Sequence, residues 1–432
     1  MNTVYNFGNV TIYYIPTDKF KNNVLDIYFC DSLDRNRAYM NALIPRILAR
    51  ESVKYGTMRM KSRFLKKMYG ANAYSNVDSI GEIQYTNYTL DYVDKRYIHS
   101  IDNQAGIEDS LVDFIIDEIT NPAVQDYNGE IGFKEEYFHQ EVQKLNETIE
   151  NIINDKQAYA MKCLVEEMCK EEPYSVSSLG EVEDSKDLTP QKLYKYYKDY
   201  YLKEQSIKIF FSSNSKPDQL INKIKSNQYF NSIKKEISSI GFTKKEHITI
   251  CEKEVLLDVT QGKLVIGLRT NIEPNSNDYF SLIIANSVLG VGTQSKLFRK
   301  VREENSMAYY AYSSTRRYKG LIIISAGIDI KNKEKAIELI FKQLEDIKAG
   351  NISDDEINAA ISMYRNNMNS KHDTQYSLID FYFAQSFLGE IMEPEQFSLK
   401  LQQVTKEDCS RAFQKIEADT IVFLTAKEKK GE

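Results

Sequence analysis

Histidine is scarce in this 432-residue chain: the four residues are His99, His139, His247 and His372, and none stands one helical turn from another. A zinc-peptidase motif of the HxxEH or HExxH kind needs two imidazoles at i and i+4, so neither exists anywhere in the sequence. Cysteine is sparse too. Cys30, Cys163, Cys169, Cys251 and Cys409 are scattered, odd in number and never in a C-x-x-C pair, which reads as free thiols in a reducing cytoplasm. No apolar run approaches the roughly 20 residues that a membrane helix takes. The opening MNTVYNFGNVTIYYIP lacks a basic stretch leading into an apolar one, which argues against export and for a cytoplasmic protein. A basic excess is also missing: 56 Lys and Arg face 62 Asp and Glu, mixed along the chain for a net charge of −6, so a nucleic-acid partner is not expected.

What is present is material for folded cores. Hydrophobic residues make up 42%, aromatics 12% and charged residues 27% of a chain long enough for two domains. Strand-like runs open the first half (10–15, 24–30), followed by helical stretches over 37–49 and 58–68 and an alternating pair of strands around 69–93. A helix over 106–120 ends at Asn121-Pro122, and one long helix is predicted from about Glu135 to Lys170. Another starts at Thr189-Pro190, and SIKIFFS (206–212) is a short buried strand. The polar, Lys-rich stretch 228–262 reads as a linker. Beyond it the order recurs: a strand over 263–270, helices over 277–289 and 293–304, two strands, helices, and a closing strand over 420–426. Such a duplication predicts an α+β protein of two homologous lobes, 1–235 and 236–432, each an antiparallel sheet covered by helices on one side, together forming half of a clamshell.

The most specific string is LGVGTQSKLFRKVREENSMAYYAYSS (289–314). It resembles the second-lobe signature of the pitrilysin/insulinase and mitochondrial processing-peptidase families, in which a Gly-rich turn leads into S-x-L-F-x-x-V-R-E and then A-Y at a strand start. The lobe order and length fit that resemblance along essentially the whole chain. Active members of those families carry HxxEH on the first long helix of lobe one. Its two His bind zinc, its Glu activates the zinc water, and a Glu on a later helix completes the site. The matching segment here is NALIPRILARESVKYGT, and the motif falls on Ala42, Leu43, Ile44, Pro45 and Arg46. Ala42 has no lone pair, Pro45 can be neither acid nor base, and Arg46 puts a fixed positive charge where a dication would sit. In FKEEYFHQEVQKLNETIE the resemblance puts the third-ligand position at Thr148, or at Glu147 after a one-residue slip, with Glu141 as the upstream acid. The cluster of His139 with Glu135, Glu136 and Glu141 reads as a solvated helix face rather than a metal site.

Lobe two keeps Arg302 and Tyr309. In active relatives the matching pair holds the substrate backbone and stabilises the oxyanion at the zinc. The plainer alternative pairs Arg302 with Glu303 or Glu304 and makes Tyr309 an ordinary strand aromatic. The resemblance is to the non-catalytic chain of bacterial two-subunit peptidases. It therefore implies no activity and no cofactor of this chain's own, zinc only in a homologous partner subunit, and a peptide substrate shared between the two. A peptidase-derived scaffold and a peptide-binding homodimer are the competing expectations. Gly290 and Gly292 resemble a Gly-rich substrate loop or form a plain turn. The 30 tyrosines, clustered as YKYYKDYY (194–201) and AYYAY (308–312), either pack their rings or wall a peptide channel.

Overall fold

The computed structural model describes residues 3–7, 9–98, 106–233, 237, 240–245 and 248–426. His99 and His247 lie outside them. The described chain forms two compact units, each with one main sheet.

The first unit comprises residues 1–150, 176–239 and 374–389. Its sheet is built from β1 (Thr3–Phe7), β2 (Val10–Pro16), β3 (Asn22–Ser32), β4 (Asn72–Ile80), β5 (Ile83–Val93) and β6 (Ser206–Ser213), in the order β1-β2-β6-β3-β5-β4. All neighbours are antiparallel except β2 and β6. The second unit comprises residues 151–175, 240–373 and 390–432. Its strands are β7 (Cys251–Leu256), β8 (Gly262–Arg269), β9 (Ala308–Arg316), β10 (Leu321–Ile328) and β11 (Glu417–Thr425), in the order β7-β11-β8-β10-β9, with only β7 and β11 parallel. The helices that bear on the argument are α1 (Ala38–Leu48), α2 (Glu135–Glu150), α3 (Lys156–Met168), α4 (Tyr279–Gly290), the π-wound α5 (Leu297–Glu304) and α6 (Gln375–Gln385).

The compact units differ from the contiguous spans 1–235 and 236–432 by an exchange of segments. Residues 151–175 pack within the second unit and 374–389 within the first. The exchanged helices add a layer to the expected single-sided cover. In the first unit Leu25, Ile27 and Phe29 of β3 face a core shared with Ala42, Leu43 and Ile47 of α1. The alternate residue Tyr28 points the other way and stacks on Phe383 of α6 at 3.8 Å between ring centroids. Gln375 of α6 donates to the Ser212 carbonyl at 2.9 Å, and the Tyr376 hydroxyl donates to Asp91 at 2.6 Å. In the second unit Ala160, Cys163 and Leu164 of α3 cover Val265, Ile323, Val422 and Leu424. The central strands of both sheets are thus buried on two faces, which explains strands such as LIIISAGI that are buried along their whole length.

The single long helix expected from Glu135 to Lys170 is two. α2 ends at Glu150, a short 3₁₀ turn follows, and Asp155 caps α3 by accepting from the N–H groups of Gln157 and Ala158. The cap outcompetes helix continuation because it satisfies two otherwise orphaned donors.

A buried ion cluster ties the exchanged segment 151–175 to its sheet. Arg269, 1% exposed, donates to Asp419 at 2.8 Å, to Glu172 at 2.6 Å and to the Met168 carbonyl at 2.8 Å. Lys319 closes on Glu172 at 2.5 Å. Burial pushes the Glu172 carboxyl up, but the hydrogen bonds from Arg269 and Lys319 outweigh it and leave the group below the usual carboxylate range.

Asp26 of β3 carries the opposite balance. Burial raises its pKa to about 6 against the pull of hydrogen bonds from Thr89 and Asn87. Because folding raises this pKa, the group's contribution to stability is complete below its unfolded value near 3.8 and is lost as pH climbs through about 6. Asp26→Asn is therefore expected to be more stable than the native chain at pH 7, by on the order of 1 kcal/mol. The advantage should shrink toward pH 4.5. Denaturant midpoints for the two proteins that run parallel across this range would rule out Asp26 as the group responsible.

Candidate functional site

α1 is a helix with a proline inside it. Pro45 lacks the N–H that would bond four residues back, yet the helix runs on to Leu48, and Ala49 N–H still reaches the Pro45 carbonyl at 3.1 Å. Burial of Ala42, Leu43, Ile44, Ile47 and Leu48 in the first core holds it in place. One turn earlier Asn41 anchors the same helix. It donates to Gln84 at 2.9 Å and accepts from the Tyr196 hydroxyl at 2.8 Å and from Gln205 at 3.0 Å.

α2 packs beside α1, and the Tyr39 hydroxyl donates to Asn146 at 2.9 Å. Between them, with residues 73–77 of β4, lies a pocket of about 500 Å³. Ala42, Pro45 and Arg46 all line it, as does Glu141. Three of the four degenerate-motif positions are thus brought together. Thr148 is not among them: it is exposed, and its hydroxyl donates to the Lys144 carbonyl at 2.7 Å. The carboxylate of α2 that faces the pocket is Glu141, two turns before Thr148, and Glu147 is exposed and takes a hydrogen bond from Gln143. α2 has a buried face of Phe138, Glu141, Leu145 and Ile149, and Thr148, the expected third-ligand position, lies off it.

The donor set does not fit a zinc ion. A methyl group, an imino acid and a guanidinium occupy the motif, and the one carboxylate is already engaged. Glu141 accepts from Arg50 at 3.2 Å and from Lys144 at 2.8 Å. Arg50 also bonds Gln140 and lies 5.0 Å from the Tyr137 ring centroid. No group of three or more His, Cys, Asp or Glu side chains able to hold a metal occurs among the described residues. His139 is exposed and sits 3.8 Å from Glu135 on the same helix, and His372 pairs with Glu395 at 2.9 Å. Thiol chemistry is equally remote: the five cysteines are free, and burial pushes Cys30 and Cys409 up to about 12.

The second unit displays Arg302 and Tyr309. Leu297 and Val301 anchor α5 in the core, leaving Arg302 exposed in its last turn with the guanidinium carbon 4.6 Å from the Phe298 ring centroid. Among the described residues no carboxylate pairs with it. Glu304 is held instead by Lys300 at 2.8 Å, so the ion pair weighed as a plainer alternative does not form. The chain then turns through Ser306, which adopts a left-handed φ of 52°, and enters β9. There Ala308 pairs with Ile328 and Tyr310 with Gly327, so Tyr309 is the extra residue of a β-bulge. A bulge on an edge strand re-aims a side chain. Tyr309 is 63% exposed, and its hydroxyl donates to Asp329 at 3.3 Å.

The glycines before α5 have structural duties. Gly290 is the buried last residue of α4, and a Cβ there would meet the Ser313 nitrogen at 2.4 Å, so it permits close packing of α4 on β9. Gly292 supplies a left-handed turn with φ of 84°. Much of YKYYKDYY is interior: Tyr197 and Tyr201 are fully buried, and the Tyr197 hydroxyl donates to the Ile119 carbonyl at 2.7 Å.

Comparison with known proteins agrees with this arrangement. Residues 187–364 match the family described as the peptidase M16 inactive domain. The chain is 30% identical over 425 residues to the probable inactive metalloprotease YmfF of Bacillus subtilis, covering 98% of this chain and 97% of that protein. It is 27% identical over 183 residues, 41% of this chain and 43% of the relative, to the uncharacterized zinc protease YmxG of the same organism. Its fold matches a conserved protein from Enterococcus faecalis with a TM-score of 0.90 at 24% identity, over 100% of both chains. No helix among the described residues is long and apolar enough to cross a membrane. This chain belongs to the M16 peptidase family as an inactive member.

Proposed function

We propose that the chain is the non-catalytic subunit of a two-chain peptidase, presenting Arg302 and Tyr309 to the zinc site of a homologous partner and sharing the peptide with it. The asymmetry between the two sites supports this reading most. Metal donors are gone from α1, whereas Arg302 and Tyr309 stay exposed, one without a carboxylate partner among the described residues and the other re-aimed by a bulge. A guanidinium and a phenol are the donors that a developing oxyanion can use, and the partner supplies the Lewis acid. B. subtilis carries both a full-length inactive relative and a relative named as a zinc protease, the two components that such an assembly requires.

The test is to co-express this chain with the zinc-motif homologue from the same genome and assay cleavage of an unstructured peptide. The expected result is a stable heterodimer whose activity exceeds that of either chain alone. A homologue that is fully active by itself and never co-purifies with this chain would reject the proposal.

A further inference from the structure

We infer that the dismantled metal pocket is a carboxylate subsite that receives an acidic group of the bound peptide. The inference rests on the peptide-binding reading above and adds a substrate preference to it. Arg46, Arg50 and Lys144 bring three positive charges to the pocket, and Glu141 brings one negative charge. Glu141 is shared by Arg50 and Lys144, at 3.2 and 2.8 Å. Arg46 is left over: half-buried on the pocket wall, it has no carboxylate partner among the described residues. Its charge is felt nearby: burial pushes the Tyr39 phenol up to about 12, and the Arg46 guanidinium acts against that rise. Ala42, Pro45 and Leu179 give the rest of the wall apolar patches, and Tyr74, Ser75 and Asn76 add polar atoms, so the guanidinium faces a concave space with further hydrogen-bonding groups beside it.

The substitution that removed zinc chemistry has therefore inverted what the cavity accepts. A site for a dication, framed by neutral imidazoles and carboxylates, has become one with a net charge of about +2 and a planar fork of N–H donors, which matches a carboxylate in shape and sign. Residues 73–77 of the edge strand β4 line one side, so an extended segment lying along that strand can drop a side chain inward. Two sources share this chemistry: an aspartate or glutamate side chain, and the peptide's terminal carboxylate.

Fluorescence anisotropy with the full chain separates them. The probes are matched unstructured peptides, acetylated and amidated, with Glu, Gln or Lys at the central position, together with the Gln peptide bearing a free carboxyl terminus. If a side chain is recognised, the capped Glu peptide binds at least about tenfold tighter than the Gln peptide. If the terminus is recognised, only the uncapped Gln peptide gains. Either gain should disappear in Arg46→Gln and persist in weakened form in Arg46→Lys, which keeps the charge but not the fork, with unchanged circular dichroism in both. Glu141→Gln should strengthen binding of the acidic probe by removing a competing anion. Equal affinity for all probes, a preference for Lys, a gain that survives Arg46→Gln, or no binding by any peptide would each overturn the inference. Partner-dependent cleavage that still requires Arg302 in that event would leave the subunit reading standing, so the two failures are distinguishable.

Discussion

Arg302→Ala, assayed in the heterodimer, lowers kcat/KM for peptide cleavage by about 10²–10³-fold, equivalent to about 2.7–4 kcal/mol. The magnitude follows from what the guanidinium offers: a fixed charge with forked donors, already exposed and without a carboxylate to break away from. Because an oxyanion exists only in the transition state and the intermediate, the loss should fall on kcat more than on KM. Tyr309→Phe removes a single neutral donor and leaves the ring in its bulge, so its effect should be smaller. Heterodimer formation should be unaffected by either change, as both side chains lie on the surface. An Arg302→Ala, Tyr309→Phe double mutant with full activity in an intact heterodimer would leave this chain only a scaffolding role.

The largest effect on stability is expected at Arg269. Removing the guanidinium by Arg269→Met strands Asp419 without its 2.8 Å partner and leaves Glu172 with lysines alone. Breaking a buried pair in this way costs about 3–5 kcal/mol, because an uncompensated charge remains inside. Arg269→Lys should recover only part of the loss, since one ammonium cannot satisfy Asp419, Glu172 and the Met168 carbonyl at once. Equilibrium denaturation monitors both variants. A loss below about 1 kcal/mol for Arg269→Met would mean that the cluster relaxes or hydrates on substitution.

Much of this was legible beforehand because the relevant signals are local. The strands announce themselves as β-branched and aromatic runs, and the absence of paired histidines needs no structure to interpret. The string around Arg302 pointed to the fold of the whole chain. Four features were hidden for physical reasons. Asp155 breaks the long helix through a cap, but an aspartate within an otherwise periodic stretch reads equally well as a solvated helical residue. That Glu141 rather than Thr148 faces the pocket follows from the rotation of α2 against α1, which one-dimensional spacing does not specify across inserted loops. The Tyr309 bulge is a mismatch between two strands, β9 and β10, and neither strand's sequence alone reveals it. The exchange of α3 and α6 was the hardest to see. Neither helix carries in its own sequence a mark of the sheet it covers, and only long-range contacts decide which.

That exchange bears on how the protein is made. The sheet closed by β6 presents Tyr28, Phe210 and the rest of its outer aromatic face until α6 arrives, and residues 214–374 intervene between β6 and α6. A nascent polypeptide must therefore hold a sticky, half-finished surface while residues 214–374 are being made on the ribosome. Truncation anywhere before residue 375 would release a product that chaperones retain and proteases clear.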